Sequence, residues 1–348
     1  MVSENGDGPR FLPHLGQKRR VSPFPYTQGM RRIERVGIEE VRAARERIAG
    51  HAIRTPLVRL EVDDAPPIWL KLECLQPIGS FKIRGAANAI AQARPSDLSR
   101  GVWTASAGNM AQGVAWCARR LGVPCRVVVP DRAPRAKLDA IERLGAEPIP
   151  LPFDEWWAVL AGSHDPGIAG VFVHPVCDER VIAGNGTIGL EIAEDLPNVD
   201  TVIVPFGGGG LSSGIASALG ALRPATRVLA SEIETAAPLA ASLAANAPAS
   251  VDWRPSFVDG IGGRSLLEPM WPLVRELLRG SIVVSLEDTA SAIRLLARRA
   301  HVVAEGAGAT SVAAALSGRA GAGPIVCVVS GGNIDASVLA RILDGATP

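Results

Sequence analysis

Short, almost unbroken apolar runs alternate along this chain with longer stretches of helical spacing. From Ile38 to Ala49 the run IEEVRAARERIA sets apolar residues three and four apart among strong helix formers, which predicts a helix. Leu57–Val62 and Ile68–Glu73 read as short strands, as do Gly101–Ala105, Arg126–Val129 and Val171–His174. The stretches 111–121 and 133–144 read as helices between them. Further on, a helix over 188–194 precedes the strand Thr201–Val204, and a second helix runs through Leu222. Arg227–Glu232, Ile282–Ser285 and Ile325–Val329 are further strands, with a helix over 288–301 before the last. This alternation predicts the α/β class, with open, mostly parallel sheets flanked by helices, and no internal repeat. The all-apolar strands fit central positions in such a sheet.

Three of these strands end in polar loops of small residues that lead toward a helix: Ser106-Ala107-Gly108-Asn109, Phe206-Gly207-Gly208-Gly209-Gly210-Leu211 and Ser330-Gly331-Gly332-Asn333. Glycine amides at a helix N-terminus can approach an anion closely, with the helix dipole behind them. A tight strand-to-helix turn and a dinucleotide-binding turn are the competing readings of 207–211. The spacing, however, is not GxGxxG, and Glu232 is the only acid near the distance a ribose would need. The 106–109 loop can hold a carboxylate through its amides, the Ser106 hydroxyl and the Asn109 amide, or Asn109 can simply cap its helix. In open α/β sheets such loops converge beyond the carboxyl ends of the strands.

Composition sharpens one position. Of 36 basic residues only four are lysine (Lys18, Lys71, Lys82, Lys137), so a generic positive charge in this chain is written as arginine. Lys82 lies in Gly79-Ser80-Phe81-Lys82-Ile83-Arg84-Gly85, ahead of a small-residue helical run. Its amine can lose a proton and condense with a carbonyl, which a guanidinium cannot do; the plain alternative is a surface lysine at a helix start. Elsewhere composition mainly excludes. Basic and acidic residues number 36 and 35, and aromatics are 4%, which argues against a nucleic-acid surface. No apolar run approaches the length of a membrane span. Five cysteines without CxxC spacing read as buried thiols of a reduced, cytoplasmic protein. Residues 1–32, rich in Pro, Gly and Arg, read as a flexible arm without a secretory or twin-arginine signal.

Taken together, Ser80-Phe81-Lys82-Ile83-Arg84-Gly85-Ala86, Ser106–Asn109, Gly207–Leu211 and Ser330–Asn333 resemble the pyridoxal-phosphate enzymes of the tryptophan synthase β (fold type II) group. Within it the chain is most similar to the threonine/serine dehydratases, in motif order and spacing from about residue 38 to 340, including His174-Pro175, Val181–Thr187 and Glu305–Gly308. The resemblance implies a pyridoxal 5'-phosphate cofactor held as an imine by Lys82, with Phe81 beside its ring. Gly207, Gly208, Gly209, Gly210 and Leu211 would cradle the phosphate. Asn109 would meet the ring hydroxyl, Ser330 the pyridine nitrogen, and Ser106, Ala107, Gly108 and Asn109 the substrate carboxylate. It also implies a large cofactor-binding domain (33–100 and 179–348), a small mobile domain (101–178), and a homodimer acting on a small amino acid. A serine opposite the ring nitrogen cannot hold it protonated as an aspartate would, which favours loss of a β-leaving group over transamination. The expected reaction is α,β-elimination of L-threonine, L-serine or a related β-hydroxy amino acid to a 2-oxo acid and ammonia, with Lys82 as the base.

Four departures qualify the resemblance. Met110 stands where the family usually has His, and it either fills space or reshapes the substrate region. Ala107 stands where serine racemases carry a second, proton-bearing serine, so racemisation is disfavoured. Pro238 stands where relatives that bind a divalent cation carry Asp, so no metal is expected, and Glu232 reads as a hydrogen-bonded strand-end residue. The chain stops after the catalytic region, so feedback control through a C-terminal regulatory domain is not expected. His174 reads as structural, Trp156-Trp157 as helix packing, and Glu305 as a candidate for orienting the cofactor. The alternatives are a dehydratase for a bulkier substrate, a fold type II β-replacement synthase and a serine racemase. Outside the class stand a dinucleotide-binding oxidoreductase, which leaves Lys82 and Ser330 idle, and a silent binding module.

Overall fold

The structure is a computed structural model that describes residues 31–63 and 65–348. All but the last two residues of the predicted arm lie outside the described residues. The strands are β1 (Leu57–Leu60), β2 (Ile68–Leu72), β3 (Val102–Ala105), β4 (Cys125–Pro130), β5 (Glu147–Leu151), β6 (Val171–Phe172), β7 (Thr201–Pro205), β8 (Arg227–Ile233), β9 (Ser281–Val284) and β10 (Ile325–Val329). They form a six-stranded sheet in the order β1-β2-β10-β7-β8-β9 and a four-stranded sheet in the order β5-β4-β3-β6. Every pairing is parallel except β1 with β2.

The apolar run of β10 is explained by its position. It lies between β2 and β7, and all five residues are buried. Val326 and Val328 enter one hydrophobic core, while Ile325, Cys327 and Val329 enter another on the opposite face. Strand periodicity of two therefore feeds two cores from one segment. Each such side chain contributes roughly 1.5–3 kcal/mol by burial.

The four-stranded sheet has its own core, which also takes in Ile83, Ala86, Ala87, Ala89 and Ile90 from the helix Lys82–Ala91. That helix packs closely on the helix Glu179–Asp195. A Cβ on Gly184 would lie 2.4 Å from the Arg84 carbonyl oxygen, so only glycine permits this approach. Because β2, β10 and β7 are parallel neighbours, the loops after them open on one side of the sheet. Lys82 follows β2, the 330–333 loop follows β10 and the glycine loop follows β7. The 106–109 loop follows β3 in the other sheet. Among the described residues no helix is long and apolar enough to cross a membrane.

Candidate active site

Lys82 is the first residue of its helix, and the segment before it is laced to the loop after β10. Phe81 N–H donates to the Ser330 carbonyl at 3.0 Å, Gly332 N–H to the Gly79 carbonyl at 2.9 Å, and the Asn333 side-chain amide to the Ile78 carbonyl at 2.9 Å. Lys82 Nζ donates to the Pro175 carbonyl at 3.1 Å and lies 5.0 Å from the centre of the Phe81 ring. Burial lowers its pKa to about 8, against the opposing pull of the Glu305 carboxylate. The helix N-terminus disfavours an ammonium there as well. An amine so placed loses its proton far more readily than an exposed lysine, as a nucleophile or base must.

The carbonyl that receives Lys82 belongs to a turn organised by His174. Nδ1 of His174 accepts from the Val176 and Cys177 amides at 3.0 and 2.8 Å, and Nε2 pairs with the Leu160 carbonyl at 2.9 Å. The ring is 4% exposed, and burial pushes its pKa down to about 4. It is a neutral structural histidine. The same turn backs the glycine loop, since a Cβ on Gly208 would lie 2.7 Å from Val176.

The amides of Gly207, Gly208, Gly209, Gly210 and Leu211 donate to no protein acceptor among the described residues. They sit at the N-terminus of the helix Gly210–Leu222, whose cap, Gly209, has φ +96°. Five consecutive unspent donors with a helix dipole behind them form an anion cradle. The loop after β3 has the same character. Ser106 Oγ accepts from the Gly108 amide at 3.2 Å, while the amides of Ala107, Asn109 and Met110 have no protein acceptor among the described residues.

Between these loops lies a polar chain that crosses from one sheet to the other. Asn109 Nδ2 donates to both carboxylate oxygens of Glu305, at 2.9 and 3.1 Å, and Asn109 Oδ1 accepts from Asn333 Nδ2 at 2.8 Å. Glu305 is 8% exposed. Burial, with a contribution from the Asp259 charge, raises its pKa to about 7. Ser330 is buried, and its hydroxyl has no partner among the described residues.

Lys82, Phe81 and Ser330 are thus joined directly or through one residue, and Asn109 is tied to the same loops through Glu305 and Asn333. The glycine loop reaches Lys82 through Val176 and Pro175. Met110 is fully buried in the core of the four-stranded sheet, where it fills space. Glu232 spends both carboxylate oxygens on the Leu239 and Ala240 amides, each at 2.8 Å, and on Ser281 Oγ at 2.6 Å. Trp156 and Trp157 lie on the helix Phe153–Leu160 and pack against a small cluster around Trp103. Sequence reasoning missed Arg84, Glu73, Glu191 and Lys71, a buried ionic group behind Lys82. Arginine inside the lysine motif, with four lysines in the whole chain, was the available signal.

The donor set suits pyridoxal phosphate: an amine with a lowered pKa, an anion cradle, and a serine hydroxyl with no protein partner among the described residues. Residues 48–331 match the family model for the pyridoxal-phosphate dependent enzyme. The chain belongs to that family. Among its relatives, the L-threonine ammonia-lyase of Thermotoga maritima is 41% identical over 317 residues, 89% of this chain and 78% of that protein. The catabolic L-threonine dehydratase TdcB of Escherichia coli is 37% identical, covering 88% of this chain and 96% of its own. Maize serine racemase superposes with a TM-score of 0.82 at 34% identity, over 88% of this chain and 97% of that one. Among the described residues, Lys82 carries the primary amine that these loops enclose.

Proposed function

We propose that this enzyme is an ammonia-lyase that converts L-threonine, L-serine or a related β-hydroxy amino acid to a 2-oxo acid and ammonia. The observation that carries the reading is the Lys82 amine, its pKa lowered to about 8, within one family motif set that also includes five free glycine-loop amides. The threonine ammonia-lyase and dehydratase relatives supply the reaction class.

In this reading Lys82 holds the cofactor, and Gly207, Gly208, Gly209, Gly210 and Leu211 hold its phosphate. Phe81 flanks the ring, Asn109 faces its hydroxyl and Ser330 its nitrogen. Bound there, pyridoxal phosphate withdraws electrons from an attached amino acid and so acidifies its α-carbon. Ser106, Ala107, Gly108 and Asn109 bind the substrate carboxylate and fix the α-hydrogen toward Lys82. Freed from the cofactor by the incoming substrate amine, Lys82 Nζ takes that proton, and the Pro175 carbonyl steadies the resulting ammonium. Ser330 offers a neutral hydroxyl, so the ring is a moderate electron sink and departure of the β-hydroxyl is the favoured outcome. Closure of a unit spanning 101–178 against 33–100 and 179–348 would exclude water from these steps. A reduced cytoplasmic setting suits the five free cysteines. A homodimer follows from the family resemblance, and light scattering would test it.

A panel of β-hydroxy amino acids assayed for 2-oxo acid release tests the activity. Mass spectrometry of borohydride-treated holoenzyme tests the anchor: a pyridoxyl group on any peptide other than the one carrying Lys82 overturns the assignment. The likeness to maize serine racemase favours a second reading, racemisation, which Ala107 opposes because it has no proton to give.

A further inference from the structure

Lys71, Glu73, Arg84 and Glu191 form a buried group of two positive and two negative side chains, exposed by 0, 0, 1 and 4%. Arg84 is its centre. Its Nε and Nη2 donate to the two oxygens of Glu73, each at 2.8 Å. Its Nη1 and Nη2 donate to Glu191 at 2.6 and 3.0 Å. Nη1 also donates to Thr187 Oγ1 at 3.0 Å and Nη2 to the Ile53 carbonyl at 3.1 Å. Lys71 Nζ completes the group, reaching Glu191 at 2.5 Å and the Thr55 carbonyl at 2.6 Å.

Buried ion groups of this kind add little stability over apolar packing of the same shape, so stability alone does not account for one. A guanidinium fork, by contrast, fixes direction and distance at several points together. What it joins here is specific. Arg84 lies two residues beyond Lys82 on the same helix, while Thr187 and Glu191 lie on the helix Glu179–Asp195. That second helix also carries Asn185, whose Nδ2 donates to the Gly210 carbonyl at 3.3 Å, at the foot of the glycine loop. A short rigid path therefore runs from Lys82 through Arg84, Thr187 and Asn185 to Gly210.

We propose that Arg84 is a positioning residue that sets the separation between the Lys82 amine and the glycine-loop amides. The proposal rests on the cofactor reading above. Pyridoxal phosphate has two ends of fixed spacing, an aldehyde and a phosphate ester. Binding one end raises the effective concentration of the other only where the protein's two grips match that spacing. Loss of the Arg84 fork costs this linkage while leaving each grip intact.

The test uses full-length, cofactor-stripped protein titrated separately with pyridoxal phosphate, with pyridoxal lacking the phosphate, and with inorganic phosphate. Arg84→Lys is expected to weaken pyridoxal phosphate about tenfold or more, and the two half-ligands less than about threefold. Thr187→Val, which removes one neutral partner of Arg84, is expected to move the same ratio in the same direction by a smaller factor. Equal weakening of all three ligands, or no change in any, makes the group structural only and overturns the proposal. Should Arg84→Lys not fold, an unchanged ratio in Thr187→Val overturns it instead. Failure of the cofactor reading looks different: the unaltered protein would not bind pyridoxal phosphate, or Lys82→Ala would leave pyridoxal binding untouched.

Discussion

Asn109 and Glu305 clasp each other across the two sheets, the amide of one donating to both carboxylate oxygens of the other. Asn109 opens the helix after β3, and Glu305 caps the helix Gly306–Leu316 of the larger sheet. The contact keeps a buried carboxyl next to the lysine.

A stability signature follows from that burial. The folded pKa of Glu305, about 7, exceeds its ordinary 4.5. The folded state therefore binds the extra proton between those values, and its stability falls as pH rises from 4.5 to 7. Glu305→Gln carries no charge at any pH. Its thermal midpoint in cofactor-free protein, relative to the unaltered chain, is expected to rise from pH 4.5 and level off above 7. The full difference is of the order of 3 kcal/mol. A pH-independent difference in calorimetry would contradict the burial argument.

His174 acts with the opposite sign. Its folded pKa, about 4, lies below the ordinary 6.5, so its contribution is complete above pH 6.5 and is lost as pH falls toward 4. His174→Gln is expected to flatten acid denaturation across that window, with up to about 3 kcal/mol at stake. Urea unfolding at pH 4.5 and 7 would measure it.

Gly208→Ala drives a methyl group to within 2.7 Å of Val176. Overpacking of this kind costs roughly 1–3 kcal/mol. The loop must move away from the turn that holds Lys82, so weaker binding of both pyridoxal phosphate and inorganic phosphate is expected. Isothermal titration reads both.

Ala107→Ser restores a hydroxyl to the loop after β3. The unaltered enzyme is expected to release 2-oxo acid from L-serine without D-serine, and the variant to form D-serine measurably. Chiral chromatography of the products decides. D-serine from the unaltered chain would remove the argument from Ala107.

The architecture was legible where one periodicity dominated. β10 was bounded correctly from its apolar run alone, and the loops after β3, β7 and β10 stood out as small polar residues at strand ends. The helix Glu179–Asp195 was predicted to begin only at Ile188, and its earlier part contains the weak helix formers Gly184 and Gly186. They are glycines for tertiary reasons, since neighbouring backbones leave no room for a Cβ. β5 was missed because Pro148 and Pro150 argue against a strand, a rule that relaxes at a sheet edge. Met110 was left open between substrate and core, and only the packing of the four-stranded sheet places it. The Arg84 group was invisible for another reason: Glu191 lies 107 residues away, and no local pattern links the two.

Those two prolines have a further effect. β5 forms the outer border of the four-stranded sheet, beside β4, and proline nitrogens bear no hydrogen. At positions 148 and 150 that border therefore offers no N–H to an incoming chain. An extended segment arriving there would find acceptors without matching donors, so β5 resists edge-to-edge aggregation without a helix to cover it.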